Sequence, residues 1–292
     1  MSAGEIRVGT SGWHYPSGKG TWNGPFYPLK RPRGFDELRF YAERFDTVEV
    51  NATFYRQPEA EMSRTWLERT PASFLFSIKL FQKFTHPDMY LARPGATDWD
   101  VSAGDIDQFR AGLDPIAAAG RLGALLIQFP SSFHSTPDAR EYVSWLLRAF
   151  RDYPRAVEFR HKSWGEADAD TPARVNDAGA ALVRIDEPFT HMDGVRVLGA
   201  KVPSAKVPLA YLRLHGRNAA QWWEHEQAED RYNYLYTEAE LQPFADEARQ
   251  EAALEKRVLV YFNNHFSAKA VANADILKNQ LGQIAPDWQL RP

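Results

Sequence analysis

Short runs rich in β-branched and aromatic residues alternate along the chain with longer stretches whose apolar residues recur at helical spacing. The short runs, at 6–10, 47–51, 74–79, 124–128, 156–160, 181–186, 211–215 and 258–263, are predicted strands. Between most of them the spacing predicts helices over 35–45, 59–68, 106–119, 137–150, 172–178, 238–254 and 268–281. In the first of these, Leu38, Tyr41, Ala42 and Phe45 share one helix face. Thr136-Pro137 and Thr171-Pro172 each place a hydroxyl N-cap before a proline suited to the first helical position. Thr237 to Glu240 reads as a capping box. No helical period is visible between Asp186 and Tyr211, so a long loop is expected in place of a regular sixth helix.

Strand followed by helix about eight times predicts an α/β fold, a closed (β/α)8 TIM-type barrel, with residues 1–292 as a single domain. An open doubly wound sheet is the alternative. No G-x-G-x-x-G or G-x-x-x-x-G-K-[ST] motif follows a strand, which sets dinucleotide and P-loop chemistry aside.

The parity of polar residues on the strands carries the functional information. Alternate residues of a barrel strand face the interior. Glu49 and Asn51 share one parity, as do Ser77 and Lys79, Glu158 and Arg160, Arg184 and Asp186, Arg213 and His215, and Tyr261 and Asn263, while Gln128 ends the fourth strand. The other parity is apolar (Val48 and Val50, Phe76 and Ile78, Val157 and Phe159, Leu212 and Leu214), as burial against outer helices requires. A ring of charges and amides is therefore expected inside the carboxyl end of the strands, the face where barrel enzymes work. Within it Glu49, Glu158, Asp186 and His215 are the candidates for proton transfer. Lys79, Arg160 and Arg213 suit an anionic group. The competing structural reading is a self-neutralising plug of ion pairs, since stranded buried charge costs several kcal/mol.

The longest strand-to-helix loops add candidates. Arg217, Asn263 and Asn264 lie after the seventh and eighth strands, where barrels often cradle phosphate; ordinary capping of the last helix, by Ser267 or an asparagine, is the alternative. Trp13, Trp22, Trp99, Trp164, Trp222 and Trp223 lie in such loops, as packing or as an aromatic wall around a ligand. His14, His86, His161, His215 and His265 all fall just after strands; with the nearby carboxylates they could hold a divalent metal, although no H-E-x-x-H spacing is present.

Composition narrows the classes. Without cysteine there is no disulfide and no thiolate metal site. A net charge of −3 argues weakly against non-specific nucleic-acid binding, which needs a basic field, and leaves room for a local basic groove. No stretch reaches the roughly 20 apolar residues of a membrane helix, and residues 1–8 carry no apolar run of a signal peptide, so no membrane partner and a cytoplasmic location are expected. No organic cofactor is expected either.

The ring residues also carry a resemblance. GTSGWHYPSGKGTWNGPFYP, VEVNATFYRQP, FSIKLFQKFTH, LLIQFP, VEFRHKSW, YLRLHGR, YTEAEL and YFNNHFSAKAVANA follow one another from Val8 to Ala274. In these stretches the chain resembles the YecE-like family, domain of unknown function 72. The resemblance implies a TIM-type barrel and no established activity. The family's motif positions fall here on Glu49, Asn51, Tyr55, Lys79, His86, Gln128, Glu158, Arg160, His161, Trp164, Arg213, His215, Asn263 and Asn264. Where the family usually has Ala-Asp or a similar pair, this chain reads Arg184-Ile185-Asp186.

Three readings follow. The first is an enzyme using acid–base chemistry on a small anionic, phosphate- or carboxylate-bearing substrate: Glu158 or Asp186 as base, His215 as acid, and Lys79, Arg160 and Arg213 on the anion. The second is a metal-assisted phosphodiesterase acting on nucleic acid, by a fold-level analogy with apurinic-site endonuclease barrels. The third is a barrel that binds a ligand without changing it. Glycoside hydrolysis, which needs two carboxylates at a set separation, ranks below these.

Overall fold

The computed structural model describes residues 4–96, 98–165, 170–188, 207–254 and 256–283. The strands are β1 (Ile6–Ser11), β2 (Thr47–Val50), β3 (Leu75–Lys79), β4 (Leu122–Gln128), β5 (Arg155–Glu158), β6 (Ala181–Leu182), β7 (Arg184–Asp186), β8 (Leu209–Leu214) and β9 (Arg257–Phe262). They form one parallel sheet in the order β6-β5-β4-β3-β2-β1-β9-β8-β7, that of a TIM-type (β/α)8 barrel. All eight expected strands are present. The sixth is broken at Val183: Ala181 and Leu182 pair with β5, whereas Arg184, Ile185 and Asp186 pair with β8. Val183 itself still donates its backbone N–H to the carbonyl of Val157.

The helices are α1 (Glu37–Ala42), α2 (Ala52–Tyr55), α3 (Ala60–Glu68), α4 (Pro87–Leu91), α5 (Ala103–Ala118), α6 (Pro137–Ala149), α7 (Thr171–Asp177), α8 (Glu238–Ala253) and α9 (Lys269–Gln280). The seven expected helices are all found, and the single-turn α2 and α4 are additions. The predicted caps at Thr136 and Thr237 form: Thr136 accepts from the Ala139 N–H, and Thr237 with Glu240 makes the full capping box. Thr171 is a correction. It is the first helical residue, the cap is Asp170 in a left-handed conformation (φ 48°), and the buried Thr171 hydroxyl has no partner among the described residues. The loop expected in place of a sixth helix falls largely on 189–206, outside the described residues.

The chain divides into two compact units. The first carries β1, β7, β8 and β9 with α1, α8 and α9; the second carries β3–β6 with α2–α7, and the boundary crosses β2 after Val48. In the first unit Tyr211, Tyr261 and Thr47 share a buried layer: the two rings lie 5.2 Å apart, and the Thr47 and Tyr261 hydroxyls bond at 2.5 Å. In the second unit the apolar parity is buried as predicted, with Phe76, Ile78 and Val157 at 1% exposure or less. Strands covered on both faces are the normal condition of a parallel sheet.

Candidate functional site

In the second unit the polar residues at the strand ends gather around His86. Glu158 closes β5, is fully buried, and accepts from Arg160 Nε at 2.7 Å. That bond joins residues two apart, so the two do share a face, as their parity predicts. Lys79 closes β3, and its ammonium sits 4.2 Å from the centroid of the Phe54 ring. Thr53 ties α2 to this strand end, donating its hydroxyl to the Lys79 carbonyl at 2.6 Å. Phe54 also meets the His86 ring, edge to face at 4.7 Å. Phe54, a residue that the polar pattern could not reveal, thus touches both the cation and the imidazole.

His86 precedes α4, and its Nδ1 lies 2.8 Å from the Thr85 hydroxyl. Its Nε2 makes no hydrogen bond to a described residue. Burial, then the positive charges of Lys79 and Arg160, push this imidazole down to about 3 against an opposing pull from Glu158. His86 is therefore neutral at physiological pH, in the field of two cations. Asn51, directly after β2, has a buried side-chain oxygen with no donor among the described residues, and Gln128 ends β4 nearly buried. Glu49 is fully buried on β2, and Tyr55, at the end of α2, is 61% exposed.

Two further candidate binding residues of this unit make packing and local contacts. Trp164 is 1% exposed, its indole N–H donates to the Phe133 carbonyl at 2.8 Å, and its ring stacks on Phe159 at 4.0 Å. His161 stacks on His134 with centroids 3.7 Å apart, and its Nδ1 meets the Ser163 hydroxyl.

In the first unit the strand ends carry a second cluster. The register Leu214↔Phe262 brings His215 beside Asn263, and the Asn263 amide nitrogen lies 2.9 Å from His215 Nδ1. With the amide as donor, Nδ1 accepts and the proton of the neutral ring sits on Nε2. His215 and Arg213 are both buried, at 0% and 1% exposure. Asp186, 3% exposed, accepts from Arg217 Nε and Nη2, each at 2.8 Å, and from the Tyr236 hydroxyl at 2.6 Å. A carboxylate so engaged fixes an arginine and is poorly placed to take a proton. Asp186 and Arg217 thus hold each other in a two-point ion pair, the arrangement that the self-neutralising reading describes.

Asn263 and Asn264, expected with Arg217 to cradle phosphate, each bond within the protein. Asn264 is fully buried and spends its amide N–H groups on the Tyr234 carbonyl and Asn273 Oδ1, both at 2.8 Å. The alternative, capping of the last helix, is not made: the residue before α9 is Ala268, and no side chain among the described residues caps it. Ser267 instead donates to the Lys19 carbonyl at 3.2 Å. Arg184 turns away from Asp186 to the carboxylates of α8, bonding Glu251 at 2.6 Å and pairing with Glu247. Of the loop tryptophans, Trp22 and Trp222 are buried packing residues like Trp164, and Trp223 is 69% exposed. Tyr236 and Asn273, which hold this cluster, were missed in the sequence; the YTEAEL stretch, which opens on Tyr236, was the signal available.

Among the described residues no three His, Asp or Glu side chains converge to hold a metal ion. No helix among them is long and apolar enough to cross a membrane.

A family described as "Protein of unknown function DUF72" matches residues 7–291. The chain belongs to the DUF72 family. Among DUF72-related proteins, UPF0759 protein YunF of Bacillus subtilis (strain 168) is 26% identical over 291 residues, covering 96% of this chain and 98% of that one. A solved DUF72 family protein of Thermotoga maritima MSB8 superposes with a TM-score of 0.75 at 32% identity, over 95% of this chain and 99% of the other. One from Enterococcus faecalis V583 gives 0.76 at 23% identity, over 97% and 99%. The resemblance read from the motifs is thereby established at the level of family and fold.

Proposed function

We propose that this DUF72 chain is an enzyme that acts on a small phosphate- or carboxylate-bearing substrate by acid–base chemistry at its strand ends. The observation that carries this reading is His86: a neutral imidazole, one nitrogen unengaged, kept neutral in part by Lys79 and Arg160. Those two cations attract an anion, and Glu158 holds the Arg160 guanidinium in place. An anion that neutralises them also removes the field that suppresses protonation of His86. Substrate binding thus raises the basicity of His86 and prepares it to take a proton from the bound molecule.

The test has two parts. Ring resonances of His86, followed by NMR against pH, should show an apparent pKa near 3 that moves upward when inorganic phosphate is added. Turnover should then be sought across a panel of phosphate and carboxylate compounds. On any substrate found, His86→Gln should lower kcat by about 10²–10⁴-fold, and Arg160→Met should chiefly raise KM. Full activity in both variants removes the assignment. Saturable binding with no chemical change over long incubation favours the non-catalytic reading instead.

A further inference from the structure

A second feature of the second unit lies apart from the His86 cluster and shares no residue with it. Trp99, Asp100, Val101, Tyr142 and Trp145 line an open groove of about 510 Å³. The first three lie just before α5; Tyr142 and Trp145 are one helical turn apart on α6. Tyr142 is the middle ring, with centroids 5.7 Å from Trp99 and 5.5 Å from Trp145 at interplanar angles of 52° and 32°. The three rings make a curved aromatic wall.

Two of the rings are fixed by one short turn of backbone. The Trp99 indole N–H donates to the Lys83 carbonyl at 2.5 Å, and the Tyr142 hydroxyl donates to the Phe84 carbonyl at 2.7 Å. Their polar edges are thus consumed within the protein, and what they offer a ligand is ring face. Burial pushes the Tyr142 phenol upward, so that ring stays neutral. Among the described residues no lysine or arginine lines the groove, whereas Asp100 does, exposed and with no bond to its carboxylate. The neighbouring Lys83 is neutralised by Asp105, at 2.9 and 3.0 Å.

We propose that this groove binds a free small organic cation with an alkylated ammonium head, quaternary ammonium being the best fit. Aromatic faces attract such cations through their quadrupoles, and the attraction strengthens with desolvation. Asp100 supplies the matching charge. A quaternary head asks for no hydrogen bonds, which suits a wall whose donors are mostly spent. A sugar would need a convergent set of donors and acceptors, and an anion would meet Asp100.

The probe is choline, titrated into the full-length protein while tryptophan fluorescence is read, with 3,3-dimethylbutan-1-ol as its uncharged isostere and methyl glucoside as a sugar control. Choline is expected to give a saturable change and the two neutral compounds none in the same range. Trp145→Ala should weaken choline about 10- to 30-fold and Asp100→Asn about 3-fold, within the range of a desolvated cation–aromatic contact. Tyr142→Phe should leave affinity within twofold, because its hydroxyl faces Phe84. Asp100 is exposed, so Asp100→Asn reports on binding even if Trp145→Ala misfolds. Equal affinity for the isostere overturns the proposal in favour of a merely apolar patch. Binding of the glucoside in preference to choline, no saturable choline response, or an unchanged choline affinity in Asp100→Asn overturns it as well.

Discussion

Asp186 shows at the scale of one residue why parity alone does not assign a role. The strand pattern correctly put a carboxylate at the buried end of the sixth strand, but the groups that complete it, Arg217 and Tyr236, come from the connection after β8. Nothing in their spacing announces the meeting, because it depends on how that connection is laid down. The same holds for Trp164, whose loop position suits a ligand wall equally well until its N–H is seen on the Phe133 carbonyl. The energetic consequence can be measured. Removing one member of a buried pair leaves the other uncompensated, at a cost of about 3–5 kcal/mol, and the partly exposed Arg217 recovers some of that from water. Asp186→Ala should therefore lower unfolding stability by about 3 kcal/mol and Tyr236→Phe by about 1 kcal/mol. Asp186→Asn should fall between them, since its amide oxygen can still accept from Tyr236. Urea unfolding of the three variants checks the order, and an unperturbed Asp186→Ala would show that the pair contributes nothing net.

At the scale of elements, the periodic segments were legible and their junctions less so. Ala181–Asp186 reads as one strand because all its residues suit a strand; the break at Val183 follows from pairing with β5 on one side and β8 on the other. Helix α7 shows the same limit at its start. Thr171 before Pro172 has the chemistry of a cap, but Asp170 turns the chain left-handed and moves the threonine one position into the helix. Its hydroxyl is left buried with no partner among the described residues, a state that costs about 1–3 kcal/mol. Valine keeps the shape and removes the orphaned group. Thr171→Val should accordingly raise stability by about 1 kcal/mol, read as a higher thermal midpoint. A lower midpoint would mean that the hydroxyl finds a partner after all.

For the whole molecule, the fold was legible because each of the eight expected strands and seven expected helices carries its own period and the alternation leaves few ways to connect them. The balance of buried charges was not, because desolvation depends on what covers each group. Asp275 on α9 looks like an ordinary surface aspartate in the sequence. Burial nonetheless pushes its carboxyl up to about 6, against the opposing pull of Lys278 and Arg44, and its Oδ1 has no donor among the described residues. Lys278, one turn along the helix, is turned to the Arg44 carbonyl at 2.8 Å. The folded chain thus binds the Asp275 proton more tightly than the unfolded chain, whose aspartate titrates near 3.8. Its contribution to stability is full below 3.8, declines between 3.8 and 6, and is lost above 6, where the ionised carboxylate is carried with little compensation. His86 runs the other way: held near 3 when folded and near 6.5 when unfolded, it adds stability as pH rises through that interval. The two slopes oppose each other across the same range in the wild type. Asp275→Asn removes the falling one, so the stability difference between variant and wild type should be smallest near pH 4. It should then grow to about 1–2 kcal/mol in favour of the variant by pH 7. Thermal midpoints of both proteins from pH 4 to 8 read this directly, and a constant offset across the range would place the titration of Asp275 elsewhere.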